Sequence, residues 1–179
     1  MEELLDIFDA DGGLKAVKSR SLAHSQGLWH KSVHVWIVNS QGEILVQKRS
    51  ALKKFFPNVW DCAFAGHISH GESSITTVVR EGKEELGLDI DLSKLKYLFT
   101  NKESIEYGEV KNNEFVDIYI YESDINLSKL SLQIEEVSDV KWIKFEEFLK
   151  MLNSNDVLHH GEKEYKVLEE YFKNNLVMR

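Results

Sequence analysis

The sequence has almost no cysteine and no long apolar run. Cys62 is the single cysteine, so no disulfide can form within the chain, and we expect a reducing compartment. Residues 1–13 are acidic and lack the basic and apolar segments of a signal peptide. No stretch approaches the roughly 18 apolar residues of a membrane-spanning helix. The sequence therefore predicts a cytoplasmic protein without a membrane partner.

Proline and excess positive charge are also scarce. One proline and 10 glycines in 179 residues argue against long disordered linkers. We expect a single domain over residues 1–179, with a short N-terminal hairpin and a C-terminal helix. The net charge of −8 argues against a nucleic-acid partner, because phosphate backbones bind basic surfaces. A small phosphorylated molecule stays compatible with this charge if a metal ion supplies positive charge.

Apolar periodicity predicts strands and helices in mixed order. Hairpins are expected where ELLDIF and LKAVKSR flank DADGG, and where two apolar runs flank NSQGE. Further extended segments are expected at VWDCAFAGHI, LKYLFT, EFVDIYIYE and VSDVKWIK, and helices at FEEFLKML and at the C-terminus. Because strands and helices do not alternate regularly, we predict an α+β fold (α/β in the broad sense), with a mixed β-sheet sandwiched between α-helices.

One predicted helix, from about Glu72 to Leu86, gathers like charges. Glu81, Glu84 and Glu85 lie at spacings where carboxylates repel by about a few tenths of a kcal/mol per pair. Taken alone, such a cluster is more typical of a solvated helix surface than of a cation site. Gly87 is expected to end the helix, in a backbone conformation that favours glycine.

The same helix has an apolar face that is expected to pack on the sheet. Helical spacing assigns to this face Ile75, Val78, Val79, Gly82 and Leu86. Arg80 is expected to project away from the glutamates, although its length lets it reach carboxylates near the helix start. Lys83 is expected to point elsewhere.

The residues around the helix change the balance between the two interpretations. Gly66, Glu72, Arg80-Glu81, Glu84-Glu85 and Gly87-Leu88 have the spacing G-x5-E-x7-R-E-U-x-E-E-x-G-U, where U is a bulky aliphatic residue. The stretch resembles the Nudix box and departs from it only at Gly82, where glycine costs roughly 1 kcal/mol of helix propensity. On this resemblance the sequence is identified as a member of the Nudix hydrolase superfamily, which implies the Nudix fold.

The resemblance implies a loop–helix–loop that binds Mg²⁺ or Mn²⁺, cations that favour carboxylate oxygens. The metal ligands it implies are Glu81, Glu84, Glu85 and the carbonyl of Gly66. Glu81 and Glu84 are also implied in catalysis, with Glu84 as a candidate general base. Glu72 and Arg80 would orient the loop and the helix. Family members use water to cleave a diphosphate linked to another group.

The flanking residues add a resemblance to isopentenyl-diphosphate isomerase, a branch of the same superfamily. The substrate-binding residues that it implies are Arg49, Lys53, His30 and His67, and the two histidines also match metal ligands of the isomerase. His24 lies near a third metal-binding histidine position. Glu114 matches a catalytic, metal-binding acid.

Two departures argue against isomerase activity. The isomerase has a thiol immediately before its Gly-His pair, where this sequence has Ala65. Cys62 lies three residues earlier, which is about 10 Å in an extended strand, and the odd offset turns it to the opposite face. Asn112 replaces a second acidic ligand near Glu114, and the complete glutamate array favours hydrolysis.

We therefore interpret the protein as a metal-dependent Nudix hydrolase that cleaves a nucleoside diphosphate derivative or another small diphosphate. The alternatives are an isomerase-like enzyme and a non-catalytic nucleotide-binding or regulatory module, and a homodimer is a possible assembly. His30 and His34 share strand parity with Trp36 and could simply line one sheet face. His159-His160 is expected to be a loop with nothing to suggest a metal. Arg49 and Lys53 could equally belong to a solvated loop.

Overall fold

The computed structural model describes residues 2–108 and 110–176, which form one mixed sheet with helices around it. The strands are β1 (Leu4–Phe8), β2 (Leu14–Ser19), β3 (Trp29–Val38), β4 (Glu43–Arg49), β5 (Trp60–Asp61), β6 (Phe64–His67), β7 (Leu95–Tyr107), β8 (Val110–Glu122) and β9 (Val137–Lys144). The helices are α1 (Arg20–Gln26), α2 (Ser74–Leu86), α3 (Phe145–Met151) and α4 (Glu162–Leu176). In this part of the chain, no helix is long and apolar enough to cross a membrane.

Strand β3 is the centre of the sheet. It pairs in parallel with β8 along its whole length, and it pairs antiparallel with β1, β4 and β6. Outside these pairs, β9 lies against β4 and β7 lies against β8. The parallel pair among antiparallel pairs confirms the predicted mixed sheet, and both predicted hairpins are present.

Side-chain alternation along β3 divides the core between the two sheet faces. Val35 packs with Val78 of α2 on one face. Trp36 packs on the other face with Phe148 of α3 and Leu168 of α4. Helices therefore cover both faces, which confirms the predicted arrangement.

Helix α2 has the ends that the sequence predicts. The Ser73 hydroxyl accepts a hydrogen bond from the N–H of Thr76 at 3.1 Å and caps the helix. Gly87 ends it at a φ of 66°. At Gly82, an added Cβ atom would lie 3.1 Å from Ile90 and 3.2 Å from Phe64. Glycine at this departure from the Nudix box therefore permits close packing of the helix against β6.

The predicted buried face of α2 is partly wrong. Ile75 and Val79 are each 39% exposed, whereas Thr77 and Glu85 are buried together with Val78. The face of α2 that packs on the sheet is thus rotated relative to the predicted apolar face. A carboxylate lies on this packed face in place of an aliphatic side chain. Periodicity counts hydrophobic residues only, so it misses a helix face that buries a charge.

Two further differences concern local backbone. Helix α1 was not expected, and it lies in the segment that leads from the N-terminal hairpin into β3. The predicted strand VWDCAFAGHI is interrupted by bends at Cys62 and Ala63, which separate β5 from β6. Because of this break, Cys62 and Ala65 both pack with the Trp36 side of the core, and the predicted opposite orientation of Cys62 is wrong.

Candidate active site

Arg80 connects the glutamates of the Nudix-like segment. Its Nε and Nη2 donate to the Glu72 carboxylate at 3.1 and 3.0 Å, and its Nη1 donates to Glu81 at 2.7 Å and to Glu84 at 3.1 Å. Nη2 also donates to the backbone carbonyl of His67 at 3.2 Å. The expectation that Arg80 projects away from the cluster is wrong, because its long side chain lies across the carboxylates. The cation offsets their mutual repulsion and holds Glu72 and Glu81 in place.

Gly66 allows Glu81 to approach strand β6. A Cβ atom at position 66 would overlap the Glu81 carboxylate, so a larger residue would displace it. Gly66 is paired with Val33 in the sheet, which fixes its backbone beside that carboxylate. A carboxylate beside a peptide backbone offers the oxygen ligands that Mg²⁺ and Mn²⁺ favour.

Glu85 and Glu81 form a carboxylate pair that is largely withdrawn from water. Glu85 is 5% exposed and accepts a hydrogen bond from Gln47 at 3.1 Å. Burial, together with the charge of a neighbouring glutamate, raises the pKa of Glu85 to about 8 and that of Glu81 to about 7. The pair is therefore not an ordinary solvated helix surface, and a divalent cation would favour its ionised form.

The basic residues Arg49 and Lys53 lie on the same cavity, which has a volume of about 520 Å³. Arg49 donates to the carbonyls of Phe56 and Phe55 at 3.0 and 3.1 Å and to Asp61 at 3.1 Å. Lys53 pairs with Glu136. Arg49 thus anchors the loop between β4 and β5 whatever else it binds. The contact of both residues with substrate stays a prediction.

Three histidines and Glu114 form a second group on the cavity side of the sheet. The Nε2 atoms of His24 and His67 are 3.3 Å apart, and Oε1 of Glu114 lies 3.4 Å from Nε2 of His30 and 3.3 Å from Nε2 of His67. Nδ1 of His30 donates to the Leu28 carbonyl at 2.8 Å, which fixes the ring with its Nε2 toward Glu114. The structure thus brings together the four residues that resemble the isomerase metal site, with His24 supplied by the unexpected helix α1.

The residues of this group differ in charge state: burial acts to lower the pKa of His30, but the hydrogen bond and charge of Glu114 raise it above its usual value. Burial and the neighbouring histidines lower the pKa of His24 to about 3. Burial acts to raise the pKa of Glu114, but hydrogen bonds from His30 and His67 hold it well below its usual range. Neutral imidazole and ionised carboxylate are the forms that bind metal.

A third polar group was not predicted from the sequence. His34 of β3, Glu103 of β7 and His160 of the loop before α4 converge on the same cavity, backed by Asp61 and Glu164. His160 lies in a loop, as predicted, but it is only 2% exposed. The one signal in the sequence was the shared strand parity of His30 and His34, which places both on the cavity face of β3.

The thiol chemistry of the isomerase has no equivalent here. Ala65 lines the cavity immediately before Gly66. Cys62 is fully buried, its Sγ donates to the carbonyl of Phe64 at 3.4 Å, and burial raises the pKa of its thiol. A protonated thiol held in the core is a poor proton acceptor.

Comparison with known proteins identifies the family of the chain. Residues 7–161 match the NUDIX domain family. An uncharacterized Nudix hydrolase of Clostridium acetobutylicum is 39% identical over 156 residues, covering 86% of this chain and 75% of that protein. An isopentenyl-diphosphate Delta-isomerase of Serratia proteamaculans is 32% identical over 120 residues, covering 67% of this chain and 66% of that protein.

A crystal structure from Deinococcus radiodurans superposes with a TM-score of 0.70 at 22% identity, covering 93% of this chain and 98% of that one. At this identity the superposition shows a common fold. The family match spans most of the chain and contains the Arg80-centred glutamate cluster. The chain therefore belongs to the Nudix family and is an enzyme of the Nudix hydrolase type.

Proposed function

We propose that this enzyme is a Mg²⁺- or Mn²⁺-dependent hydrolase that cleaves the diphosphate bond of a nucleoside diphosphate derivative or another small diphosphate. The observation that carries the proposal is the pair Glu81 and Glu85 beside Gly66. Its two carboxylates are held out of water, and their pKa values are raised by burial. Such a pair is costly without a cation.

The donor set fits a hard divalent cation. Glu81, Glu85, Glu84 and the carbonyl of Gly66 are the residues that would hold it. When bound, the cation would neutralise charge on the diphosphate and lower the pKa of the attacking water. Arg80 and Glu72 keep the carboxylates oriented through the hydrogen bonds described above.

Glu84 is the best-placed general base. Its side chain is 53% exposed, so it can meet an attacking water, and Arg80 fixes one of its oxygens at 3.1 Å. Glu114 is the weaker candidate, because His30 and His67 hold its pKa well below the usual range. Glu81 is committed to Arg80 at 2.7 Å and to the Gly66 side of the site.

The rest of the cavity suits the two halves of a nucleoside diphosphate derivative. Lys53 and Arg49 bring positive charge to the diphosphate, and Arg49 keeps further N–H groups for a phosphate beyond its three protein contacts. Phe55, Phe56 and Tyr107 also line the cavity, with the Phe56 and Tyr107 rings 4.5 Å apart. Aromatic faces of this kind stack on nucleobases.

An isomerase is the second candidate, and one observation favours it. His24, His30, His67 and Glu114 are assembled as the resemblance to isopentenyl-diphosphate isomerase implies. Against it stand Ala65 at the thiol position and the buried, hydrogen-bonded Cys62. Hydrolysis needs no thiol at either position.

A substrate panel tests the proposal. Nucleoside triphosphates, nucleoside diphosphate sugars, ADP-ribose, dinucleoside polyphosphates and isopentenyl diphosphate are each incubated with Mg²⁺ and with Mn²⁺, and the products are identified. We expect metal-dependent hydrolysis of at least one compound, reduced about 10²–10⁴-fold in Glu84→Gln. Binding of these compounds without turnover under either metal would contradict the proposal and support a non-catalytic module.

A further inference from the structure

We propose that His34, Glu103 and His160 bind a divalent transition-metal ion in the floor of the cavity. One potential ligand atom from each residue lies within 4.8 Å of the others. The three residues are 4%, 8% and 2% exposed, respectively. This site is additional to the glutamate site and does not depend on the proposed hydrolase function.

Two buried atoms of this group lack a hydrogen-bond partner among the described residues. They are Nδ1 of His160 and Oε1 of Glu103, which lie 3.8 Å apart. Buried polar atoms are nearly always satisfied in folded proteins, so an unsatisfied pair facing one cavity needs an explanation. A metal ion that accepts one lone pair from each atom would supply it.

Carboxylates behind the two histidines fix the orientation of their rings. Nε2 of His160 lies 2.6 Å from Oδ1 of Asp61, and Nδ1 of His34 lies 3.2 Å from Oε2 of Glu164. Trp36 donates to the other oxygen of Glu164 at 2.7 Å, which keeps that carboxylate in place. A histidine whose second nitrogen donates to a carboxylate is the usual arrangement of a metal ligand, because it directs the free nitrogen at the ion.

Charge balance also favours a cation. Asp61, Glu103 and Glu164 are three buried carboxylates, and Arg49 contacts Asp61 as a permanent cation. Protonation of His34 and His160 would supply two more positive charges, but it would place two imidazolium rings with centroids 4.1 Å apart. The neighbouring carboxylates raise the pKa of both histidines in the metal-free protein, so a divalent ion would bind by displacing those protons, and both rings would then be neutral.

The ligand types indicate the class of metal. Two imidazoles and one carboxylate suit Zn²⁺ and its first-row neighbours, whereas Mg²⁺ favours oxygen ligands alone. The thiol of Cys62 lies near His160 and Asp61, but it donates to the Phe64 carbonyl and burial raises its pKa, so it is a poor ligand. His34 is four residues from His30 along β3, about 13 Å in a strand, so the histidines of the two groups are separate. Glu103 is paired with Glu114 across β7 and β8, so the two groups are neighbours at their carboxylates.

Zinc binding to the full chain tests the proposal. Chelator-treated protein is titrated with Zn²⁺ in excess Mg²⁺, and affinity and bound metal are measured. Glu103→Gln keeps the side-chain volume and changes an atom without a hydrogen-bond partner, so we expect it to fold. We expect it to lose one equivalent of Zn²⁺, or to bind that equivalent at least about 10–100-fold more weakly. Glu106→Gln, the same change at an exposed position of β7, should bind like wild type.

A second variant separates this site from the other histidine group. Co²⁺ replaces Zn²⁺ as a spectroscopic probe, and His67→Gln is compared with Glu103→Gln. We expect the visible absorption of the Co²⁺ bound at His34, Glu103 and His160 to persist in His67→Gln and to disappear in Glu103→Gln and in His160→Asn. If Glu103→Gln and His160→Asn, both folded by circular dichroism, keep wild-type stoichiometry and affinity, the proposal is overturned.

Discussion

Glu85 illustrates how burial changes the protonation of one residue at the proposed cation site. Its carboxylate is 5% exposed and takes a hydrogen bond from Gln47. Burial and the charge of Glu81 raise its pKa from 4.5 to about 8. Between these pH values the folded metal-free protein holds a proton that the unfolded chain has lost. Unfolding then releases a proton, so the free energy of unfolding falls as the pH rises through this window.

This sign gives the first prediction. We expect the melting temperature of the metal-free wild type to fall between about pH 5 and pH 8. Glu85→Gln should remove much of that slope, so that the free energies of unfolding of the metal-free wild type and variant differ by at least about 1 kcal/mol at pH 8. Saturating Mg²⁺ should flatten the wild-type curve by binding the ionised form. The measurement is thermal unfolding at several pH values. A Glu85→Gln variant that keeps the wild-type slope and binds Mn²⁺ as tightly as wild type would contradict the assignment.

Lys53 and its neighbour Lys54 give the second prediction. Lys53 lines the cavity and pairs with Glu136, whereas Lys54 is exposed beside the Phe55 ring. If Lys53 binds the substrate diphosphate, Lys53→Gln should raise KM about 10-fold, which corresponds to about 1.4 kcal/mol of binding. Mn²⁺ affinity should change little. Steady-state kinetics on a cleavable substrate would show this, with Lys54→Gln as the control. If Lys53→Gln and Lys54→Gln both keep the KM and kcat of wild type, the loop that carries these lysines does not bind substrate and is only a solvated surface.

At the scale of elements, the packing of α2 on β6 determines the geometry of the glutamate site. Gly66 is the close contact, because any Cβ there would overlap the Glu81 carboxylate. We expect Gly66→Ala to displace Glu81 and weaken Mn²⁺ binding at least about 10-fold, while β6 keeps its pairing with β3. Mn²⁺ titration followed by electron paramagnetic resonance measures the affinity, and circular dichroism checks the fold. Wild-type Mn²⁺ affinity in folded Gly66→Ala would show that Glu81 is not a ligand.

The elements themselves were largely predictable, because their signals are local. Helix α2 begins after Ser73, whose hydroxyl caps it, and ends at Gly87, and alternation identified the paired strands β3 and β8. Helix α1 lacks such a signal, since its seven residues include only Ala23 and His24 as buried positions. The interruption at Cys62 was equally invisible, because a bend between two short strands leaves the apolar pattern almost unchanged.

At the scale of the whole molecule, one cavity joins side chains that are far apart in sequence. The glutamate site was predictable because α2 and the turn before it carry nearly all of it within one motif. The third group was not, because His34, Glu103 and His160 come from a central strand, an outer strand and a loop. The pairing of β3 with β8, and of β8 with β7, brings His34 and Glu103 to one sheet face, and the loop before α4 adds His160. Such long-range register cannot be inferred from single-sequence periodicity.

The groups that the whole site offers for proton transfer distinguish a hydrolase from an isomerase. Isomerisation of isopentenyl diphosphate to its allylic isomer needs one group to deliver a proton to carbon and another to remove one. Ala65 can do neither, and the buried thiol of Cys62 donates to the Phe64 carbonyl. We therefore expect no deuterium in dimethylallyl diphosphate when the protein is incubated with isopentenyl diphosphate and Mg²⁺ in deuterated water. Cys62→Ser should keep the hydrolytic rate within about 2-fold, because hydrolysis requires a carboxylate base and water. Deuterium incorporation by wild type that is lost in folded Cys62→Ser would overturn the hydrolase assignment and make Cys62 catalytic.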